Sequence, residues 1–207
     1  VSISLSPLWL RAAQPIEAML RRREGLWRLL NRRAQHRATQ ASGVFPTEND
    51  GAPIIIVGYG PVGRTVHRIV ADFGIPAIII EYNPDTVAQL ALAKTPVVFG
   101  DAARRSVLMA AGLERARSVV VTLPDPLARL AVVSTARMYA PEIEIVTRAR
   151  YLQERLMLEE AGATEVCFEE AEAAVALASS MLTRMGAERG AIDAEATRIR
   201  AELIGRV

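Results

Sequence analysis

Gly58, Gly60 and Gly63 stand in G-x-G-x-x-G order directly after Ile54-Ile55-Ile56-Val57, and a helical pattern follows. That spacing suits the capture of a phosphate. Gly58 permits the tight turn out of a strand, Gly60 lets the backbone approach a phosphate, and Gly63 lets the following helix pack on the sheet. Tyr59, Pro61 and Val62 complete the loop. The helix opening there would offer free N–H groups and the positive end of its dipole. A second apolar run, Ala77-Ile78-Ile79-Ile80, ends on Glu81, about 18 positions past Gly63 as a ribose-binding acid requires. A carboxylate there accepts hydrogen bonds from two ribose hydroxyls and repels a 2′-phosphate, and neither Tyr82 nor Asn83 supplies a compensating cation. The expected ligands are therefore AMP or NAD(H), with ATP also admissible and NADP disfavoured. The alternative is a turn whose glycines serve packing alone.

The elements that must position these residues alternate. Strands are expected at about 54–58, 77–82, 96–99, 118–123, 143–147 and 165–168. Helices are expected at about 61–73, 83–93, 102–111, 127–140 and 151–161. Gly74, Gly112, Pro141 and Gly162 punctuate the helix ends. Strands separated by helices of ten or so residues mean a parallel sheet covered on both faces. Right-handed crossovers then give a Rossmann-like, doubly wound, six-stranded α/β sheet. A further Ala-rich helix runs from about Glu170 to Met185, and its apolar surface invites a dimer contact. A last amphipathic helix carries Ile192, Ile199 and Leu203 on one side.

Ligands of such a sheet bind beyond the carboxyl ends of its strands. Glu81 and Tyr82 end the second strand, Gly100-Asp101-Ala102 the third, Thr122 to Asp125 the fourth, and Thr147-Arg148-Ala149-Arg150 the fifth. Asp101 falls near the adenosine end of a ligand, although Asp before Ala102-Ala103-Arg104 also suits a helix N-cap. Machinery for using a nucleotide chemically is missing. No Tyr-x-x-x-Lys pair exists, because Gly63, Thr86, Ile143 and Arg155 follow the four tyrosines at that spacing. Lys94, the sole lysine, sits at a helix end, and His67 on the first helix reads as a packing residue. The expectation is a binding protein and not an enzyme. An NAD-dependent oxidoreductase subunit borrowing catalytic groups from a partner chain is the alternative.

The chain has 207 residues and a formal net charge of +2, too small to argue for a nucleic-acid partner. Cys167 is the only cysteine, so no disulfide framework and no clustered metal site is expected. Residues 1–12 open with the apolar VSISLSPLWL. Residues 13–52 hold an Arg-rich amphipathic stretch (Arg21, Arg22, Arg23, Arg28, Arg32, Arg33, Arg37, with Trp27) and then a polar linker from residue 38. An apolar end followed by such a stretch looks like the exit of a membrane helix on the cytoplasmic side. A solvated helix that packs on its own domain or pairs with another copy is the alternative, and Arg-rich nucleic-acid binding is a third. The chain opens on Val1 and is expected to be a fragment with further sequence upstream.

Several of these motifs occur together in one family. Gly58-Tyr59-Gly60-Pro61-Val62-Gly63-Arg64, Glu81, Gly100-Asp101-Ala102, Arg148-Ala149-Arg150 and Glu159-Glu160-Ala161-Gly162-Ala163 resemble the N-terminal lobe of an RCK (TrkA-N) domain. More narrowly, residues 53–185 are similar to the cytosolic domain of Kef-type monovalent cation:proton antiporters of the CPA2 family. The resemblance implies a nucleotide-binding domain at 53–168, a dimerisation helix and tail at 169–207, and the end of a transmembrane helix at 1–12. It implies a homodimer that gates a potassium:proton antiporter domain of the same polypeptide at the cytoplasmic face of a bacterial inner membrane. An RCK subunit of a potassium channel or uptake system shares the fold. Carried over, Gly58, Gly60 and Gly63 hold phosphate, Glu81 the ribose and Asp101 the adenosine end. Arg104 and Arg148 or Arg150 match the places of glutathione-binding arginines, or else pair with Glu159, Glu160, Glu169 or Glu170. The last helix lacks the Asn of glutathione-gated members, which argues against glutathione control.

Overall fold

A computed structural model describes residues 51–205. The expectations for residues 1–12 and for nearly all of 13–52 fall outside these residues. The order is β1 (Ile54–Val57), α1 (Pro61–Asp72), β2 (Ala77–Glu81), α2 (Pro84–Leu92), β3 (Val97–Phe99), α3 (Arg105–Ala110), a 3-10 turn (Leu113–Arg115), β4 (Ser118–Val121), α4 (Pro126–Tyr139), β5 (Glu144–Ala149), α5 (Leu152–Glu160), β6 (Glu165–Phe168), α6 (Glu169–Arg184) and α7 (Arg189–Gly205).

All six strands pair in parallel, in the order β3-β2-β1-β4-β5-β6. The inner strands are short runs rich in Ile and Val because both faces of a parallel sheet are covered, whereas the edge strand β6 reads Glu-Val-Cys-Phe. Ile55, Val57, Ile78, Ile80, Val119, Val121 and Ile145 point to one face, where they meet Leu108 of α3, Val132, Val133 and Ala136 of α4, and Leu158 of α5. On the other face, Ile54, Ile56 and Ala77 meet Val66 and Val70 of α1, while Ile79 and Val97 meet Val87 and Leu90 of α2. Burying each such side chain contributes about 1.5–3 kcal/mol. The chain runs outward through β2 and β3 and then crosses back to place β4 beside β1. The strand order therefore reverses between β1 and β4, the point above whose carboxyl ends open α/β sheets of this kind form their ligand crevice.

Helices α6 and α7 form a hairpin beyond β6. Ala171, Val175 and Ile192 are buried in it, and Arg200 on α7 holds both oxygens of Glu172 on α6 at 2.8 and 2.9 Å. Leu177, Met181 and Met185 remain 74%, 58% and 74% exposed. With Ala174 and Ala178 they occupy one helical stripe, i, i+3, i+4, i+7 and i+11, that nothing within the described residues covers. Among the described residues, no helix is long and apolar enough to cross a membrane.

Candidate functional site

The crevice is built from β1 upward. Gly58 turns the chain with φ +90°, a conformation that favours glycine, and a Cβ there would lie 3.0 Å from Leu123 Cδ2. Gly63 sits in the first turn of α1, where a Cβ would come within 2.1 Å of the Gly58 carbonyl oxygen. Both glycines are thus required by internal geometry. Gly60 differs: it is the N-cap of α1 with φ −71° and ψ −170°, a conformation open to any residue. Among the described residues, a Cβ there would meet nothing within 4 Å. The described fold makes no demand for glycine at this position, whereas the close approach of a bound group would.

Around this turn the polar groups converge on Tyr59 and Glu81. Glu81 Oε2 accepts from the Tyr59 amide at 2.8 Å, and Oε1 accepts from the amides of Tyr82 and Asn83, both at 2.7 Å. An ionised carboxylate has about four acceptor sites. Three are engaged among the described residues, and one, on Oε2, remains open. Glu81 therefore ties the end of β2 to the glycine loop, a structural duty that its strand-end position alone does not reveal. Arg64 Nε donates to the Tyr59 carbonyl at 3.1 Å, and its guanidinium lies 5.6 Å from the Tyr59 ring centre. Tyr59 Oη and His67 Nδ1 are 3.2 Å apart, so His67 belongs to the loop's bonding network and not only to packing. Burial lowers the His67 pKa from its ordinary value.

A cavity of about 340 Å³ opens past the ends of β2 and β3, lined by Tyr82, Phe99, Gly100, Asp101, Arg104, Ser106 and Val107. The rings of Tyr82 and Phe99 stack at 5.9 Å and 10°. Asp101 is not the N-cap of α3, which begins only at Arg105 with Arg104 as its cap. The Asp101 Oδ1 accepts from the Ala103 amide at 3.0 Å in a turn that precedes the helix, and the exposed Arg104 stands 3.9 Å from Oδ2. Asp101 and Arg104 thus share one open cavity.

Three expected contact residues do other work. Ala102 is 5% exposed, within the main core cluster, so its side chain offers nothing to a ligand. Thr122 is 7% exposed, and its hydroxyl lies 3.0 Å from the Val57 carbonyl and 3.1 Å from that of Gly58. It braces the glycine turn from below. Arg148 does not end β5 as its place in the sequence suggests, because the strand runs on to Ala149 and pairs Arg148 with Cys167 of β6. Its guanidinium makes an ion pair with Glu169 at the start of α6, the structural alternative open to it in the sequence. Arg150, the first residue past β5, is exposed over the Tyr151 ring at 5.3 Å. Pro61 and Val62 are exposed at the start of α1.

An open parallel sheet with a glycine turn at its switch point defines a Rossmann-type α/β domain. The TrkA-N domain family matches residues 54–169, and the chain belongs to that family. Among curated proteins, the chain is 30% identical over 178 residues to the glutathione-regulated potassium-efflux system protein KefC of Klebsiella pneumoniae, covering 86% of this chain and 28% of KefC. The chain thus spans about a quarter of the length of that relative. Among solved structures, the TrkA-N domain of the inner membrane protein ybaL from Escherichia coli superposes with a TM-score of 0.59 at 32% identity, covering 64% of this chain and 96% of that one. The Kef CTD of Shewanella denitrificans in its AMP-bound form has a TM-score of 0.62 at 27% identity, with coverages of 72% and 91%.

Proposed function

We propose that this chain is the cytosolic regulatory domain of a potassium (monovalent cation):proton antiporter, and that it binds AMP or NAD(H) in the glycine-loop crevice. The observation that carries the ligand reading is Gly60, a glycine that neither its backbone conformation nor its described surroundings require. Phosphate sits over Gly60 and the opening turn of α1, within reach of Arg64. The ribose takes the remaining acceptor site of Glu81, and adenine enters the cavity beside Tyr82 and Asp101. The similarity to KefC and to an AMP-bound Kef domain supports both the transporter context and the adenine nucleotide.

The domain works as a homodimer joined to a membrane transport domain of the same polypeptide, on the cytoplasmic side, and it performs no chemistry on its ligand. The uncovered stripe of Leu177, Met181 and Met185 is the contact between copies. A nucleotide shifts transport only if it binds two arrangements of that dimer with different affinity. A tenfold bias requires about 1.4 kcal/mol, within reach of one charge-assisted hydrogen bond. The test uses the whole transporter in everted membrane vesicles. Cation:proton exchange is expected to respond to AMP or NADH, and Gly60→Asp is expected to remove the response while leaving basal exchange. Exchange that ignores every adenine nucleotide refutes the regulatory role.

A further inference from the structure

The loop after β4 forms the lip of the crevice next to Gly58, and its sequence is Leu123-Pro124-Asp125-Pro126. Pro124 within it has no N–H with which to satisfy its carbonyls, and Pro126 already opens α4. Those carbonyls are met instead by one side chain from α4. Arg129 Nη1 donates to Leu123 O at 2.7 Å and to Pro124 O at 3.0 Å, while Nη2 donates to Glu154 Oε2 on α5 at 2.8 Å. The same Glu154 oxygen accepts from the Arg150 amide at 2.8 Å. One guanidinium therefore joins the lip after β4 to the loop after β5. Arg129 is 1% exposed, and its buried Nε has no hydrogen-bond partner among the described residues. A buried charge with an unmet donor is a costly way to fill space beneath a loop, and an apolar side chain would fill it more cheaply.

Resting on the crevice reading given above, we infer that Arg129 is a positioning residue for the nucleotide. It holds the Leu123-Pro124 lip against the Gly58 turn and, through Glu154, makes the lips after β4 and β5 move as one. The lip bears directly on the turn, because Leu123 Cδ2 lies only 3.0 Å from where a Gly58 Cβ would be and Thr122 brackets the Val57 and Gly58 carbonyls. Only a planar fork reaches two carbonyls and a carboxylate together. Lysine keeps the charge but not that geometry.

The test measures AMP and NAD dissociation constants and thermal midpoints for the 207-residue chain as wild type, Arg129→Lys, Glu154→Ala and the double variant. Backbone amide exchange at Arg150 is followed in each. Arg129→Lys is expected to weaken the ligand that the wild type binds by about tenfold, or about 1.4 kcal/mol. Glu154→Ala is expected to weaken it similarly and to speed exchange at Arg150. The double variant is expected to lose little more, because the two act through one network. Variants with lowered midpoints but wild-type affinity in the folded protein would show a merely structural pair and overturn the inference. Should Arg129→Lys fail to fold, Glu154→Ala decides by the same comparison. If the wild type binds neither AMP nor NAD, the crevice reading itself falls, and this inference with it.

Discussion

Gly60→Asp separates stability from binding, because the two are expected to move in opposite directions. Gly60 is the N-cap of α1, and no side chain among the described residues caps that helix. Asp is among the preferred N-cap residues, worth a few tenths of a kcal/mol over Gly, and its backbone fits φ −71°. Replacing Gly at a compatible position also narrows the unfolded ensemble, worth about 0.4–1 kcal/mol. The free domain should therefore gain about 0.5–1.5 kcal/mol, or roughly 1–6 °C in midpoint for a chain of this size. Binding changes the other way. A carboxylate about 5 Å from a phosphate repels it by about 3 kcal/mol per pair of unit charges at an effective dielectric constant near 20. That is more than a hundredfold loss of affinity. In thermal melts, AMP at about a hundred times its dissociation constant should stabilise the wild type by about 2.7 kcal/mol and the variant by almost nothing. Gly63→Ala is the control, since its Cβ would lie 2.1 Å from a backbone oxygen and should cost about 1–3 kcal/mol or more without ligand. A wild-type AMP response in Gly60→Asp, or a large loss of stability, would refute the assignment of Gly60 to the ligand.

Other consequences concern pH and assembly. His67 has a lowered pKa, so its contribution to stability is present above the ordinary histidine value and is lost as pH falls through the folded one. Urea midpoints should therefore decline on acidification below about pH 6.5, and His67→Gln should flatten that decline. The hydrogen bond from Arg200 lowers the Glu172 pKa, so the link between α6 and α7 should weaken in acid as that carboxylate protonates. Protection factors of α7 amides, taken relative to the intrinsic exchange rate at each pH, should fall at low pH in the wild type and be low at all pH values in Arg200→Ala. Leu177→Glu with Met181→Glu places charge on the uncovered stripe of α6. Light scattering should report monomers for that pair and dimers for the wild type, with unchanged circular dichroism.

Periodicity made the scaffold legible. Ile/Val-rich runs bounded by Gly and Pro located five strands and the alternation with helices the sixth, while G-x-G-x-x-G with Glu81 pointed to the carboxyl end of the sheet. What stayed hidden were bonds between residues far apart in sequence. The run Ile145–Ala149 gives no sign that pairing with β6 continues past Thr147, so Arg148 resembles a strand-end residue although it lies inside the ladder. Thr122 resembles a ligand contact because its position is right, but its hydroxyl bonds the turn it supports. Arg129 is inconspicuous on a helix of mixed character, although Pro124, which has no N–H, is a usable sign that the loop needs an outside donor. Tyr59 and His67 are also joined although Tyr59 lies in the turn before α1, so the helical period that His67 obeys does not extend to it.

The most direct test of the central claim is calorimetric titration of this 207-residue chain with AMP, ATP, NAD, NADH and NADP, with its mass in solution recorded alongside. Micromolar binding of AMP or NAD(H), much weaker binding of NADP, a dimeric mass and no turnover is the expected result. Failure of every adenine nucleotide to bind would contradict the account and leave the glycine turn as a packing device.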